Sequence, residues 1–304
     1  RNSDSKISSF LTIQEGCDKF CSFCVVPYTR GSEHSRSVNE IIKEANTLVI
    51  NGSKEITLLG QNVNAYSYKG KKLSHLIYEI AKIKELKRIR YTTSHPRDLT
   101  DDLIQAHGMC EKLMPLIHLP IQSGSNKILA NMNRKHTTQE YIYKINKLKK
   151  VRPSIKFSSD FIIGYPGESE KDFRETLQIM TDVKFINSFS FIFNARPGTP
   201  AAKFKTVDEK IAKQRLFKFQ EISTQIKKNY RKQLLNKTSL VLFENKTKIG
   251  NNYFGRDEYY NSVIVASNDN LVGKIKRIKI VEINNNTMFG NINIQDNKQE
   301  DFAA

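Results

Sequence analysis

The sequence predicts an α/β fold: a partial (βα)6 TIM-like barrel followed by a small all-β, OB-like barrel. Two observations lead to this prediction. Strand-like and helix-like patterns alternate six times up to residue 235, which favours parallel strands joined by right-handed crossovers. Short strand patterns separated by Asn, Asp and Gly turns then follow. We therefore divide the chain into a linker remnant (1–7), an α/β domain (8–235), a β-barrel (236–294) and a disordered tail (295–304). The α/β domain ends in a long helix (207–235).

Each predicted strand of the α/β domain is short, largely apolar and followed by polar or glycine residues. In an open barrel of this kind the functional loops lie at the carboxyl ends of the strands. Turn formation alone would explain some of these residues, but not why every strand ends in the same way. The six predicted strands cover residues 7–14, 55–59, 88–93, 116–121, 155–163 and 189–193.

Helix starts are marked by three capping boxes, which begin at Ser37, Thr137 and Ser169 and each have an acidic residue three positions later. Gly52 is placed to end the first of these helices. Two further helices are predicted at 73–86 and 101–110. The long helix at 207–235 carries many Lys and Arg residues and is interpreted as a solvated helix between the two domains.

Residues 236–294 predict a barrel of the type that binds nucleic acid, with strands at 239–244, 255–256, 262–266, 271–283 and 288–294. Strand alternation places Lys274 and Lys276 on one face, and Arg277 and Lys279 on the other.

Composition narrows the class of protein. The chain has 304 residues and a formal charge of +18, from 49 Lys and Arg against 31 Asp and Glu. This excess favours a polyanionic partner, although a Lys-rich proteome would give the same bias. No apolar run is long enough to predict a membrane span. Four cysteines, three of them clustered, do not form a disulfide framework and indicate a reducing, cytoplasmic location, with isolated Cys110 serving packing.

Three of these cysteines, Cys17, Cys21 and Cys24, are spaced C-x3-C-x2-C directly after the first predicted strand. Three ligands are one too few for a closed structural zinc site. They suit a [4Fe–4S] cluster in which the fourth iron stays open to a small molecule. A zinc knuckle is the alternative, and it lacks an obvious fourth ligand because the nearest histidine is His34.

These motifs give the chain a family resemblance. With Phe23 before the third cysteine, the chain resembles the radical S-adenosylmethionine (SAM) methylthiotransferases, most closely the MiaB-type branch that modifies tRNA. The stretches LGQNVNAY and TTSHP point to this branch over those acting on ribosomal protein or on threonylcarbamoyl-adenosine. The C-terminal barrel is similar to the family's tRNA-binding TRAM domain. The matching stretches are residues 15–24, 26–31, 59–66, 92–96, 118–125, 159–168 and 196–200.

The resemblance implies methylthiolation at C2 of N6-isopentenyladenosine 37 in tRNA. One SAM would bind the open iron and be cleaved by an electron from a flavodoxin- or ferredoxin-type donor. The resulting 5′-deoxyadenosyl radical would remove the C2 hydrogen, and a second SAM would supply the methyl group. The family also carries an N-terminal domain with a second [4Fe–4S] cluster. Because the chain does not begin with Met and lacks those cysteines, we expect that domain to be missing and sulfur insertion to fail without it.

The resemblance also implies site residues. Cys17, Cys21 and Cys24 are expected cluster ligands, while His95 and His118 are assigned no catalytic role. Arg134 would pair with the carboxylate of SAM, and Asp160 would accept hydrogen bonds from its ribose hydroxyls. Gly60 and Asn62 would lie near the amino group of SAM. Gln122 is a further SAM contact. Arg256, Lys274 and Lys276 are the expected RNA contacts.

Two alternative functions stay open at this stage. One is methylthiolation of threonylcarbamoyl-adenosine 37 or of a ribosomal protein, which the modified substrate would distinguish. The other is a non-enzymatic RNA-binding protein with a metal knuckle, which iron and sulfide analysis would distinguish. A monomer that does not bind membranes is expected.

Overall fold

A curved sheet of six parallel strands forms the larger part of the computed structural model, which describes residues 6–292. β1 to β3 pair side by side, as do β4 to β6, and one parallel bridge from Ile89 to Leu113 joins the two groups. Among the described residues β1 and β6 are not paired, so this confirms the predicted partial barrel, open on one side. The strands are β1 (Ser8–Thr12), β2 (Glu55–Leu59), β3 (Arg88–Tyr91), β4 (Leu116–His118), β5 (Lys156–Ile163) and β6 (Asn187–Ile192).

Helices cover the outside of this sheet, and all three predicted capping boxes form. In each, the cap hydroxyl accepts the backbone N–H three residues on, while the acidic side chain accepts the N–H of the cap residue, which satisfies two otherwise unpaired donors. The helices are α1 (Val26–Arg30), α2 (Val38–Ile50), α3 (Leu73–Ala81), α4 (Asp101–Met109), α5 (Asn126–Asn131), α6 (Thr138–Val151), α7 (Glu170–Val183) and α8 (Glu209–Lys232).

Several predicted elements of the α/β domain are shorter than expected. The strand predicted at 7–14 covers Ser8–Thr12, and the helix predicted at 207–235 covers Glu209–Lys232. The helix predicted at 73–86 ends at Ala81, and the strand predicted at 116–121 ends at His118. Pro120 has no N–H to donate to the sheet. Side chains also take the carbonyl groups here, since Tyr141 Oη donates to Leu119 O and Arg134 Nη2 donates to Pro120 O.

α8 packs one face against the sheet instead of being solvated all round. Phe219 on this face is fully buried, and its ring lies 4.8 Å from that of Phe161 in β5. Ser223 Oγ is hydrogen-bonded to Ser188 Oγ of β6. Most charged residues of α8 lie on its outer faces, but Arg215 and Arg231 are buried, and Arg215 Nη1 donates to Glu168 Oε2 at 3.0 Å.

The C-terminal part forms a closed five-stranded barrel around its own apolar core, which confirms the predicted small β-barrel. The predicted strand at 271–283 begins only at Ile275. The last residues of the strand predicted at 288–294 and the tail predicted at 295–304 lie outside the described residues. The strands are β7 (Thr238–Lys246), β8 (Asn252–Arg256), β9 (Ser262–Ala266), β10 (Ile275–Ile283) and β11 (Thr287–Ile292), and the barrel order is β7–β8–β9–β11–β10.

Two buried arginines join the barrels at the amino ends of the parallel strands. Arg88 donates to the carbonyls of Leu240 and Arg256, and Arg90 donates to those of Asp257 and Glu258. The small barrel therefore covers the bottom of the large one and leaves the opposite rim free. Over residues 6–292, no helix has the length and apolar character needed to cross a membrane.

A buried histidine in α4 should make stability pH-dependent. His107 Nε2 lies 2.7 Å from Tyr91 Oη, and burial lowers the pKa of His107 from 6.5 to about 3. Below pH 6.5 the imidazole of His107 is protonated in the unfolded chain but stays neutral in the folded one. The free energy of unfolding therefore decreases as the pH falls from 6.5 towards 3. Between pH 7.5 and pH 5 this amounts to about 2 kcal/mol.

When the pH is lowered from 7.5 to 5, we expect His107→Gln to lose about 2 kcal/mol less of its free energy of unfolding than the wild type loses. Urea unfolding at the two pH values measures it. His34→Gln, at an exposed position, is the control and should retain the wild-type pH dependence. Equal pH dependence in His107→Gln and the wild type would contradict the prediction.

Candidate active site at the rim of the open barrel

The cysteine loop follows β1 and lies at the carboxyl-end rim of the large barrel. The loop starts at Gly16, which has a φ of +71°. This position requires glycine, because a Cβ there would lie 2.0 Å from Ser32 O. The N–H of Cys17 donates to Gly31 O, and that of Cys24 donates to Cys21 O. Backbone hydrogen bonds therefore fold the three thiols into one compact turn.

The segment after α5 braces this loop from the other side. Ser22 donates its N–H to Met132 O and its hydroxyl to Asn131 O. Asn133 Nδ2 donates to Phe20 O, and Tyr165 Oη is 2.8 Å from the Ser22 hydroxyl. The loop is thus fixed from several sides before any cofactor binds, which is the preorganisation that a ligand site requires.

Three thiols in one loop are a donor set that suits an iron–sulfur cluster. Among residues 6–292, no three His, Cys, Asp or Glu side chains are close enough together to hold one ion. In a [4Fe–4S] cluster each thiolate binds a different iron, so the sulfurs need not converge on one point. Burial raises the pKa of Cys17 to about 11 and also raises that of Cys24, so ligation by these residues releases protons.

Arg134 lies against the cysteine loop. It is buried, its Nη1 is 3.5 Å from Cys21 Sγ, and its Nη2 is bonded to Pro120 O. Its Nε has no partner, which is unusual for a buried guanidinium group. The structure therefore brings this predicted SAM-binding residue to the cluster loop with one donor still free.

Asn62 lies in a buried polar network beside the loop. Its Nδ2 donates to Glu33 Oε1 at 2.9 Å and to Asp98 Oδ2 at 2.8 Å, while its Oδ1 is buried without a partner. Lys19, from within the cysteine loop, pairs with the same Asp98 at 2.9 Å. Gly60 packs tightly nearby, since a Cβ there would lie 2.7 Å from Gln14 O.

Gln122 and Asp160 are adjacent, although Asp160 lies within β5 and not at the strand end expected from the sequence, and Gln122 lies in the segment after β4. Gln122 adopts a φ of +78°, and its N–H donates to Asp160 O. The Asp160 carboxylate lies 3.4 Å from His118 Nε2, and His118 Nδ1 is 2.9 Å from Ser158 Oγ. His118 is thus a hydrogen-bonded residue of the barrel interior, and its lack of a catalytic role stays a prediction.

A cavity of about 320 Å³ occupies the barrel interior beneath these residues. Asp160 and His118 form part of its wall, and Tyr260 of the small barrel reaches it from below. Phe10 of β1 and Phe189 of β6 lie at the open side of the large barrel and remain more than half exposed. The cavity can therefore admit a flat apolar group from the side.

The three predicted RNA contacts lie apart from this rim. Arg256 faces Glu244 at 3.3 Å and stacks on Tyr260, at the junction of the two barrels. Lys274 is exposed and Lys276 is half-buried at the start of β10. The role of these residues in RNA binding remains a prediction.

The sequence analysis missed several residues of the rim. Lys19, Glu33 and Asp98 belong to the Asn62 network but come from three separate loops. The signal available was that each is a charged residue in, or just after, a loop at the end of a predicted strand. Phe10 and Phe189 also escaped notice, because an apolar residue in a strand is ordinarily assigned to the core.

Comparison with known proteins agrees with this geometry. Residues 11–180 match the family model described as the radical SAM superfamily. Because that match covers more than half of the chain, the chain belongs to this superfamily, and membership implies a SAM-bound [4Fe–4S] cluster.

Curated relatives define a narrower group, and the chain belongs to the tRNA-2-methylthio-N(6)-dimethylallyladenosine synthase family. The enzyme of that name from Pelagibacter ubique (strain HTCC1062) is 57% identical over 305 residues, covering 98% of this chain and 68% of its own length. The enzyme of the same name from Wolbachia pipientis subsp. Culex pipiens (strain wPip) is 52% identical over 290 residues. This match covers 93% of this chain and 66% of the relative. The chain thus spans about two thirds of the length of these relatives.

Solved structures share the fold at low identity. Coproporphyrinogen III oxidase from Escherichia coli, a radical SAM enzyme, matches with a TM-score of 0.56 at 13% identity, covering 83% of this chain and 66% of its own. A radical SAM methyltransferase from Kitasatospora setae, solved with cobalamin and a [4Fe–4S] cluster, gives a TM-score of 0.55 at 15% identity, covering 64% and 38%. These likenesses concern the fold of the barrel alone.

Proposed function

We propose that this chain is part of an enzyme that adds a methylthio group to C2 of N6-isopentenyladenosine 37 in tRNA. The observation that carries the proposal is the braced cysteine loop on the open rim, in a chain 57% identical to a curated synthase of that specificity. The relatives' name favours this substrate over threonylcarbamoyl-adenosine and ribosomal protein. The radical SAM match disfavours a non-enzymatic metal knuckle.

The residues of the rim are proposed to hold the cofactors. Cys17, Cys21 and Cys24 would bind the cluster, which with SAM supplies radical chemistry at a C–H bond too weakly acidic for a protein base. The free Nε of Arg134 supports its proposed contact with the SAM carboxylate.

The other predicted SAM contacts have different support. The two carboxylates held by Asn62 would attract a cationic amino group, and Gly60 lets the backbone pass close to them. Asp160 faces the cavity, where it could accept from ribose hydroxyls, with Gln122 beside it.

We propose the functional division made from the sequence: a radical SAM domain at 8–235 and a TRAM domain at 236–294. Arg256, Lys274 and Lys276 of the second are proposed to contact tRNA, supported by the barrel's similarity in kind to nucleic-acid-binding barrels. A second [4Fe–4S] cluster in an N-terminal domain, a flavodoxin- or ferredoxin-type electron donor, a monomeric state and a cytoplasmic location complete the proposal.

Deuterium transfer would test the substrate assignment without requiring sulfur insertion. The chain is reconstituted anaerobically with iron and sulfide and given SAM, a strong reductant and tRNA deuterated at C2 of adenosine 37. We expect deuterium in 5′-deoxyadenosine when the base carries the isopentenyl group. The controls are the same tRNA with an unmodified or a threonylcarbamoylated adenosine 37.

Equal transfer from all three tRNAs would contradict the assigned specificity, and no 5′-deoxyadenosine at all would contradict the radical SAM activity of the chain. The same reaction should give no repeated methylthiolation from this chain alone, and multiple turnovers would contradict that prediction.

A further inference from the structure

A large groove lies between β6, the C-terminal half of α8 and the turn from β10 to β11. Its cavity volume is about 1020 Å³. We call it the α8 groove and define it by Lys227, Lys228, Arg231 and Lys232 of α8 and by Phe189 and Phe191 of β6. It is separate from the cysteine loop and from the predicted RNA contacts of the small barrel.

The lining of the α8 groove is positively charged, and Asp257, which does not line the groove, is the carboxylate that acts on Arg231. Four of its lining residues are Lys or Arg, and within the described part of the chain none of the lining residues is Asp or Glu. Burial lowers the pKa of Lys227, and the neighbouring Arg231 lowers it further. Holding like charges this close together is unfavourable unless an anion binds between them.

Arg231 has unused hydrogen-bond donors within this groove. Its side chain is only 5% exposed, and its Nη1 donates to Asn285 O in the β10–β11 turn. Its Nε and Nη2 are buried without a partner. Buried polar groups are nearly always satisfied, so unpaired guanidinium donors beside three lysines indicate an acceptor-rich ligand such as phosphate.

Two exposed aromatic rings lie along the opposite wall. Phe189 is 54% exposed and Phe191 is 61% exposed, and both line the groove. A basic track combined with exposed rings is the arrangement that binds single-stranded nucleic acid, in which phosphates meet the cations and bases stack on the rings.

The groove also leads to the catalytic barrel. Asn187 and Phe189 of β6 line both the α8 groove and the barrel cavity below the rim. A strand lying in the groove would thus pass the open side of the large barrel, where a neighbouring nucleotide could enter.

We propose that the α8 groove binds the single-stranded loop of the tRNA substrate next to the base that is modified. This deepens the proposed function and rests on it, and it places an RNA-binding surface on the radical SAM domain in addition to that of the small barrel. Lys227, Lys228, Lys232 and the free donors of Arg231 bind phosphates, and Phe191 stacks on a base.

The test compares two triple variants with equal charge change. Lys227→Gln/Lys228→Gln/Lys232→Gln empties the groove of its lysines. Lys210→Gln/Lys213→Gln/Lys218→Gln alters exposed positions on the same helix that do not line the groove. Binding of an anticodon stem-loop RNA carrying isopentenyladenosine 37 is measured by fluorescence anisotropy from 0.05 to 0.4 M salt.

The groove variant should bind roughly tenfold to 100-fold more weakly than the control variant at 0.1 M salt. Its slope of log affinity against log salt should fall by about 2, since each lost phosphate contact with a single strand removes about 0.7. Phe191→Ala should weaken binding by about fivefold or more with an unchanged slope, because stacking involves no counterion release.

Equal weakening by both triple variants would overturn the proposal, because it would mean that only overall charge matters. Wild-type affinity in both would also overturn it and would leave the groove to a protein partner. If the wild-type chain itself binds no RNA, the proposed function fails as well, so the two failures are distinguishable. Thermal melting of each variant checks that the fold is retained.

Discussion

Cys21→Ala is expected to reduce the iron and sulfide content of the reconstituted chain to background and to abolish 5′-deoxyadenosine formation. Cys21 is the buried member of the three cysteines and the one that Arg134 Nη1 approaches at 3.5 Å. With only Cys17 and Cys24 remaining, the loop has two thiolates for a cluster that we propose it holds with three. Iron and sulfide analysis, visible absorbance and chromatography of the SAM products measure the effect.

Cys110→Ala is the matched control. This fourth cysteine is also buried, but it caps α4 and packs in the apolar core away from the loop. We expect it to keep full iron content and full SAM cleavage with a modest loss of stability. Iron loss in Cys110→Ala comparable to that in Cys21→Ala would show that the loss reflects misfolding, and would contradict our ligand assignment.

Glu55→Gln is expected to lower the free energy of unfolding by about 3 kcal/mol, because it removes from two buried arginines the carboxylate that pairs with them directly. Glu55 Oε2 lies 2.9 Å from Arg90 Nε and 4.0 Å from Arg88 Nη1, and all three residues are buried. The same guanidinium groups donate to carbonyls of the small barrel, so their placement holds the two barrels together. Urea unfolding followed by circular dichroism measures the change.

Glu85→Gln removes a carboxylate from a comparable pair on the surface. Glu85 is 59% exposed and lies 3.5 Å from Lys54 Nζ. An exposed pair of this kind contributes about 0.5 kcal/mol, so this control should unfold almost as the wild type does. If the two variants lose similar stability, the Glu55 cluster does not have the buried, uncompensated character that we infer.

The sequence by itself was sufficient for the features that depend on local pattern. Three helix starts could be predicted because a capping box involves residues only three positions apart. They are the helices capped by Ser37, Thr137 and Ser169. The strand order follows from six consecutive βα units, since each crossover places the next strand beside the last. The cysteine motif also lies within eight residues, so its spacing alone indicated the cluster.

Only the tertiary structure decided which side chains from distant segments meet. Arg134 reaches Cys21, and Asn62 gathers Glu33 and Asp98. The α8 groove likewise exists only because β6, α8 and the turn at residues 284–286 pack together, and this packing turned a helix interpreted as solvated into one wall of a charged groove. Hydrophobic periodicity specifies which face of an element is buried, but the partner of a polar side chain depends on how all elements close around the core.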